Sequence, residues 1–142
     1  MQSTMTQTAV YEHGNTLFAN SYYCGIADAT GTLETKVAHQ NEHGVWGILV
    51  SLFDYSDGGS HQILVISPAG YTELQTQMQA QTQTVDEDMI VVVGELDKQY
   101  IVESETMRLI MTVAEISYLD DYQTTPLYYF GRIRLNFEVS AK

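Results

Sequence analysis

The sequence predicts an all-β domain: about six strands and at most one short helix, wrapped into a closed or half-closed sheet. Three observations lead there. The stretch Asp86–Leu119 holds two long apolar runs, Met89–Leu96 and Met107–Ile116, joined by a polar elbow over Asp97–Thr106. The first run is β-branched on both faces, as in a strand buried on two sides, and the two runs together read as a long hairpin with an exposed tip. Asp57-Gly58, set between two apolar runs, is a favoured hairpin turn. Leu127–Val139 alternates apolar and polar residues, the pattern of a half-buried strand.

In chain order, residues 1–10 are polar, rich in threonine and glutamine, and expected to be a flexible lead-in to one domain over 11–142. Leu17–Asp28 reads as a strand with several aromatics. Ala29-Thr30-Gly31 supplies turn chemistry, Thr32–Ala38 reads as a short polar or edge strand, and His39–Gly44 as a loop. Val45–Tyr55 is a clearer strand. Period two sets Trp46, Ile48, Val50 and Leu52 on one face, and Gly47, Leu49, Ser51, Phe53 and Tyr55 on the other. After the Ser56–Ser60 turn, Gln62–Ile66 returns as a central strand, and Ser67-Pro68-Ala69-Gly70 breaks it. Tyr71–Thr84 carries two signals. Its composition, with Leu74 and Met78 one turn apart, favours a short helix; the alternation of Gln75, Gln77, Gln79, Gln81 and Gln83 is what a strand would show. The helix is the favoured reading. Gly94 interrupts the first apolar run, where a bulge or a close backbone approach is expected. The last strand sets Leu127, Tyr129, Ile133, Leu135, Phe137 and Val139 on one face, with Tyr128, Phe130, Arg132, Arg134, Asn136 and Glu138 on the other.

A chain of 142 residues is long enough to bury roughly two-thirds of its unfolded surface in one core. Its least ordinary feature is charge: 18 acids against 6 bases, a net charge of −12. Such a chain repels polyanions unless its few bases gather in one place. No stretch approaches the ~18 uninterrupted apolar residues of a membrane span, so no membrane is expected. The N-terminus has neither the basic start nor the apolar centre of a secretory signal. Cys24 is the single cysteine, which excludes an internal disulfide, fits a cytoplasmic setting and suits a packing role.

The order strand, helix-bearing segment, strand, variable tip and last strand falls on Gln62–Ile66, Ala69–Thr84, Met89–Leu96, Asp97–Thr106 and Met107–Leu119. Together with Val91-Val92-Val93-Gly94-Glu95-Leu96, which matches a strand of the form x-V-x-V-x-G-x-L, this resembles the oligonucleotide-binding (OB) fold of the bacterial single-stranded-DNA-binding protein family over residues 45–119. The resemblance implies an OB-fold-like five-stranded barrel with one short helix, here followed by an extra C-terminal strand. It also implies a non-enzymatic, oligomeric protein that takes single-stranded DNA. The acidic composition and the ending Glu138-Val139-Ser140-Ala141-Lys142, unlike that family's acidic, apolar-tipped tail, keep a second reading open: an acidic assembly or protein-interaction module without nucleic-acid binding.

Single-strand binders stack bases on exposed rings beside cations that track phosphates. By that chemistry the candidate nucleic-acid-binding residues are Phe53, Tyr55, Lys98, Tyr100, Arg108, Tyr128, Phe130, Arg132 and Arg134. The competing use of these rings is to cover a second core layer or a subunit interface. Self-association is expected too, because the apolar surface of Asp86–Leu119 and of the last strand exceeds what one small barrel covers. His39-Gln40-Asn41-Glu42-His43 spells H-x-x-E-H, whose zinc chemistry needs both histidines on one helical face. Gly44 and Val45 follow at once and no helix is readable there, so the motif reads as a surface loop. Asp86-Glu87-Asp88 and Asp120-Asp121 lack cation-site spacing and read as solvated loop charge. No phosphate loop, nucleophile elbow or cysteine pair is present. The expectation is a non-enzyme without metal or cofactor.

Overall fold

The computed structural model describes residues 4–15, 17–42, 44–79, 89–119 and 129–142. Its strands are β1 (Thr4–Glu12), β2 (Ala19–Ile26), β3 (Ala29–Asn41), β4 (Gly44–Asp54), β5 (Gly59–Ile66), β6 (Met89–Val93), β7 (Gln99–Glu103), β8 (Met107–Tyr118) and β9 (Phe130–Ala141). The helix α1 spans Pro68–Gln79, between β5 and β6. The chain is all-β with one short helix. Its described strands do not close into a five-stranded barrel. They form two sheets, ordered β1-β9-β8-β7 and β2-β3-β4-β5-β6.

The sheets share one core. Cys24, Leu33, Ile48, Val50, Leu52, Ile63 and Val65 from the five-stranded sheet face Tyr11, Met107, Leu109, Met111, Val113, Ile133, Leu135, Phe137 and Val139 from the four-stranded one. A second cluster lies on the far side of the five-stranded sheet, where Trp46, Leu64, Ile66 and Tyr129 pack with Leu49, Leu74, Met89, Val91 and Val93. Most of the two-sided apolarity of Met89–Val93 is absorbed within the chain: Val92 joins the main core, Met89, Val91 and Val93 join the helix-side cluster, and Ile90 stays exposed.

The first apolar run does not pair with the second. β6 lies parallel to β5, in the register Gln62–Met89 to Ile66–Val93, and α1 is the crossover that a parallel pair requires. The hairpin instead joins β7 to β8 within the expected elbow. Gly94 makes the close approach expected of it: its N–H donates to Ile66 O at 3.1 Å, and an added Cβ would lie 3.1 Å from Val65.

Helix α1 starts where the sequence breaks the strand. Gly70 N–H donates to Ser67 Oγ at 3.2 Å, so Ser67 is an N-cap with Pro68 in the first turn. Gly70 is required by packing, because a Cβ there would sit 2.7 Å from the Trp46 ring and 2.7 Å from its carbonyl oxygen.

Other expectations are corrected. Residues 4–10 of the lead-in expected to be flexible belong to β1, paired in register from Thr4–Ser140 to Glu12–Arg132, and residues 1–3 lie outside the described residues. β3 is a 13-residue central strand rather than a short edge, and its hairpin with β2 turns at Ala27-Asp28, with Ala27 at φ 54°. It continues through His39 to Asn41, leaving a much shorter connection to β4 than a 39–44 loop. Irregularities between Val37 and Gln40 leave Ala38 and Trp46 without ladder partners, and Trp46 leaves the Ile48 row for the helix side.

Two further irregularities shape the four-stranded sheet. Ala114 is an extra residue on β8 between Val113–Leu135 and Glu115–Arg134. Gly131 is an extra residue on β9 between Arg132–Ser117 and Phe130–Tyr118. Each flips the side-chain parity beyond it.

Candidate binding face

Helix α1 covers only part of the outer face of the five-stranded sheet; the rest is open and carries rings. β2 alternates Cys24 and Ile26 inward with Ser21 and Tyr23 outward. The registers Tyr23–Thr32, Thr32–Phe53 and Phe53–Ser60 then place Tyr23 and Phe53 in one row across the strands. Tyr23 is 65% exposed, Phe53 37% and Tyr55, just beyond the end of β4, 51%. The Phe53 and Tyr55 rings meet edge to face at 5.6 Å, and the Tyr55 hydroxyl shares a 2.7 Å hydrogen bond with Thr32 Oγ1. Tyr23 lies two strands from Phe53, about 10 Å.

Beside this row the same face turns polar. Registers Ser21–Glu34, Glu34–Ser51 and Ser51–Gln62 make the next row, with Gln62 donating to Ser51 Oγ at 3.2 Å. Lys36 lies opposite Leu49 in the row after that, toward the helix. Phe53, Thr32, Glu34, Lys36 and Gln62 line a groove of about 240 Å³. Glu34 follows Thr32 on the same face of β3, and Asp28 lies in the β2–β3 turn; both are exposed and without ion pairs among the described residues.

The arginines are elsewhere, on the outer face of the four-stranded sheet, across the sandwich from Phe53 and Tyr55. The β8 bulge brings Glu115 to that face between them. Arg132 Nε lies 2.9 Å and Arg134 3.9 Å from the Glu115 carboxylate, and Arg132 also pairs with Glu12. Arg108 pairs with Glu103 at 3.4 Å, and Lys142 pairs with the same carboxylate at 3.3 Å. Arg108 faces Ser140, six residues along β9 from Arg134, or about 20 Å. Lys98 pairs with Glu95 at 3.6 Å, its ammonium 5.7 Å from the Tyr100 ring centre. Tyr100 is half-buried, burial pushes its phenol pKa up, and its hydroxyl donates to Val93 O at 3.1 Å.

Of the nine candidates, then, the fold joins Phe53 to Tyr55, Lys98 to Tyr100 and Arg132 to Arg134, and sets the first pair on the opposite sheet from the last. Phe130 is not on the arginine face: the Gly131 bulge turns it inward, fully buried and stacked with Tyr118 at 6.3 Å. Tyr128 lies outside the described residues. Tyr23, Glu34 and Lys36 belong to the exposed face and escaped sequence reasoning. The Ser21-Tyr23-Gly25 alternation marks Tyr23 as outward, but its alignment with Phe53 depends on two strand registers.

His39 and Cys24 both pack inside the fold. His39 stacks on Trp46 with ring centres 4.3 Å apart, and burial lowers its pKa. It sits on a strand, away from any helical face, and His43 lies outside the described residues. No group of three metal-binding side chains occurs among the described residues. Cys24 is buried, and burial pushes its thiol up to about 11, far from a nucleophile's range. No helix among the described residues is long and apolar enough to cross a membrane. No protein-family model, curated protein or solved structure matches the chain.

Proposed function

We propose that the chain is a non-enzymatic, cytoplasmic protein-interaction module whose contact surface is the ring-bearing face of the five-stranded sheet. The observation that carries this reading is the fate of the cations. A phosphate backbone would need Lys98, Arg108, Arg132 and Arg134 gathered and available; instead Lys98 lies against Glu95, Arg108 against Glu103, and Arg132 and Arg134 share Glu115. On a chain of net charge −12, a polyanion must both break these pairs and overcome the overall field. Exposed tyrosine and phenylalanine side chains beside polar neighbours are the residues that anchor protein partners. Self-association keeps a narrower basis: Met89, Val91, Val92 and Val93 pack within the chain, while Ile90, Leu96 and Ile101 stay exposed.

The test is a fluorescence titration with labelled oligo-dT at low salt. No saturable binding is expected up to tens of micromolar protein; saturation below that would overturn the reading. Single-stranded DNA binding is the second reading. The exposed row of Tyr23, Phe53 and Tyr55 favours it, with Lys36 close by, as does the order β5–α1–β6–β7–β8, which an OB barrel would also show.

A further inference from the structure

We infer that the ring face takes a basic, extended segment of a partner protein, with arginine or lysine side chains seated over Tyr55, Phe53 and Tyr23. The inference rests on the interaction-module reading and names its partner's chemistry. Three observations support it.

The first is charge. The exposed face carries Glu34, and the adjoining β2–β3 turn Asp28, neither with an ion-pair partner among the described residues, whereas Lys98, Arg108, Arg132, Arg134 and Lys142 are consumed by carboxylates on the other sheet or its edge. With a net charge of −12, the chain steers cations inward and repels both polyanions and a second copy of itself.

The second is ring chemistry. A guanidinium or ammonium over an aromatic face is attracted by the ring quadrupole, and a carboxylate nearby adds to that attraction. The Tyr55 ring is held by its hydroxyl bond to Thr32 and by the edge of Phe53, so little side-chain freedom remains to be lost on binding.

The third is shape. Tyr23 and Phe53 lie about 10 Å apart, across the strands, on an open face beside a groove of about 240 Å³. That suits an extended chain better than a compact ligand: alternate side chains, two residues apart, recur roughly every 7 Å, and long arginine or lysine side chains that splay by about 3 Å reach both rings. Lys36 lies at the helix-side end of the groove, so the segment's cations occupy the ring end, beside Glu34 and toward the β2–β3 turn that carries Asp28.

The experiment is an NMR titration of the isotope-labelled full chain with a short peptide alternating arginine and glycine. A glutamate–glycine peptide and oligo-dT serve as controls. The expected result is saturable shifts of the Tyr23, Phe53 and Tyr55 resonances with the basic peptide alone, weakened about tenfold by Tyr55→Ser. Tyr23→Ser, at a more exposed site that should fold normally, should weaken it in the same direction, as should Glu34→Gln. Shifts spread over all exposed acids and unaffected by these variants would overturn the inference, since they mean unspecific charge attraction. No response to the peptide, with light scattering showing a dimer whose interface broadens the ring resonances, would overturn the inference but leave the interaction module standing. Ring shifts caused by oligo-dT would overturn both.

Discussion

Replacing Asp54 with alanine should destabilise the protein more than any surface change, because this carboxylate ties the turns of the two sheets together. Asp54 ends β4, has no exposed surface, and accepts four hydrogen bonds. Ser104 Oγ donates at 2.7 Å, Thr106 N–H at 2.9 Å and Thr106 Oγ1 at 2.8 Å, all to one oxygen; Ser56 N–H donates at 2.8 Å to the other. Ser104 and Thr106 form the β7–β8 turn, so the bonds cross from one sheet to the other. Burial opposes the charge, but the hydrogen bonds from Ser104, Thr106 and Ser56 outweigh it. They hold the carboxyl down to about 2. Truncation leaves the Thr106 N–H and hydroxyl without their acceptor, whereas Ser104 keeps Met107 O at 3.3 Å. At ~1–3 kcal/mol for each orphaned donor, the loss should be about 3–4 kcal/mol, a large part of a domain's stability. Thermal unfolding should fall by roughly 10 °C.

The same group makes stability depend on pH. A carboxyl titrating at 3.8 when unfolded and about 2 when folded contributes about 2 kcal/mol. Because its folded pKa is the lower one, that stability is fully present above about pH 5 and is lost as pH falls toward 2. Asp57 works in the same direction. Burial raises its pKa, but bonds from Gly59 N–H, Glu105 N–H and His61 outweigh this and lower it. Urea unfolding followed by the fluorescence of Trp46 should show both effects: a lower midpoint at neutral pH for Asp54→Ala, and a flatter acid limb. A loss under about 1 kcal/mol, or an unchanged acid limb, would refute the reasoning.

Gly70→Ala should push α1 off Trp46, lowering stability by about 1–3 kcal/mol and red-shifting tryptophan emission; an unchanged spectrum and midpoint would count against the contact. Ala27→Gly should raise the urea midpoint by an amount equal to about 1 kcal/mol, since Ala27 holds φ 54° in the turn between β2 and β3. Arg132→Gln with Arg134→Gln should change stability by no more than about 1 kcal/mol, as their three ion pairs with Glu12 and Glu115 join partly exposed side chains, and should leave oligo-dT titrations unaltered. Cys24 should resist a thiol reagent in the native state and react only as the chain unfolds, which a stopped reaction at increasing urea would measure.

What the sequence by itself determined is local. Asp57-Gly58 makes a hairpin turn because Gly58 tolerates its φ of 66°, and β4 and β5 follow from the runs on either side. The helix followed from the composition of Tyr71–Thr84, and Ser67-Pro68 contained its start: a hydroxyl to cap the first turn and a ring that needs no donor there. Alternation over Ile133–Val139 specified the inner face of β9 correctly.

What only the tertiary structure decided is partnership and parity. The apolarity of Met89–Val93 reports burial on both faces, not which neighbour supplies it; parallel pairing with β5 and cover from α1 satisfy it as well as a hairpin with β8 would. Parity fails at bulges, because one unpaired residue inverts every side chain beyond it. Gly131 thus sends Phe130 into the core, Ala114 brings Glu115 out between two arginines, and the mismatch at Ala38 and Trp46 moves the tryptophan under the helix. Alternation along one strand cannot reveal these shifts, since each depends on hydrogen bonds to another strand. The row of Tyr23 and Phe53 has the same origin: residues thirty apart share a face only because two registers across β3 align them.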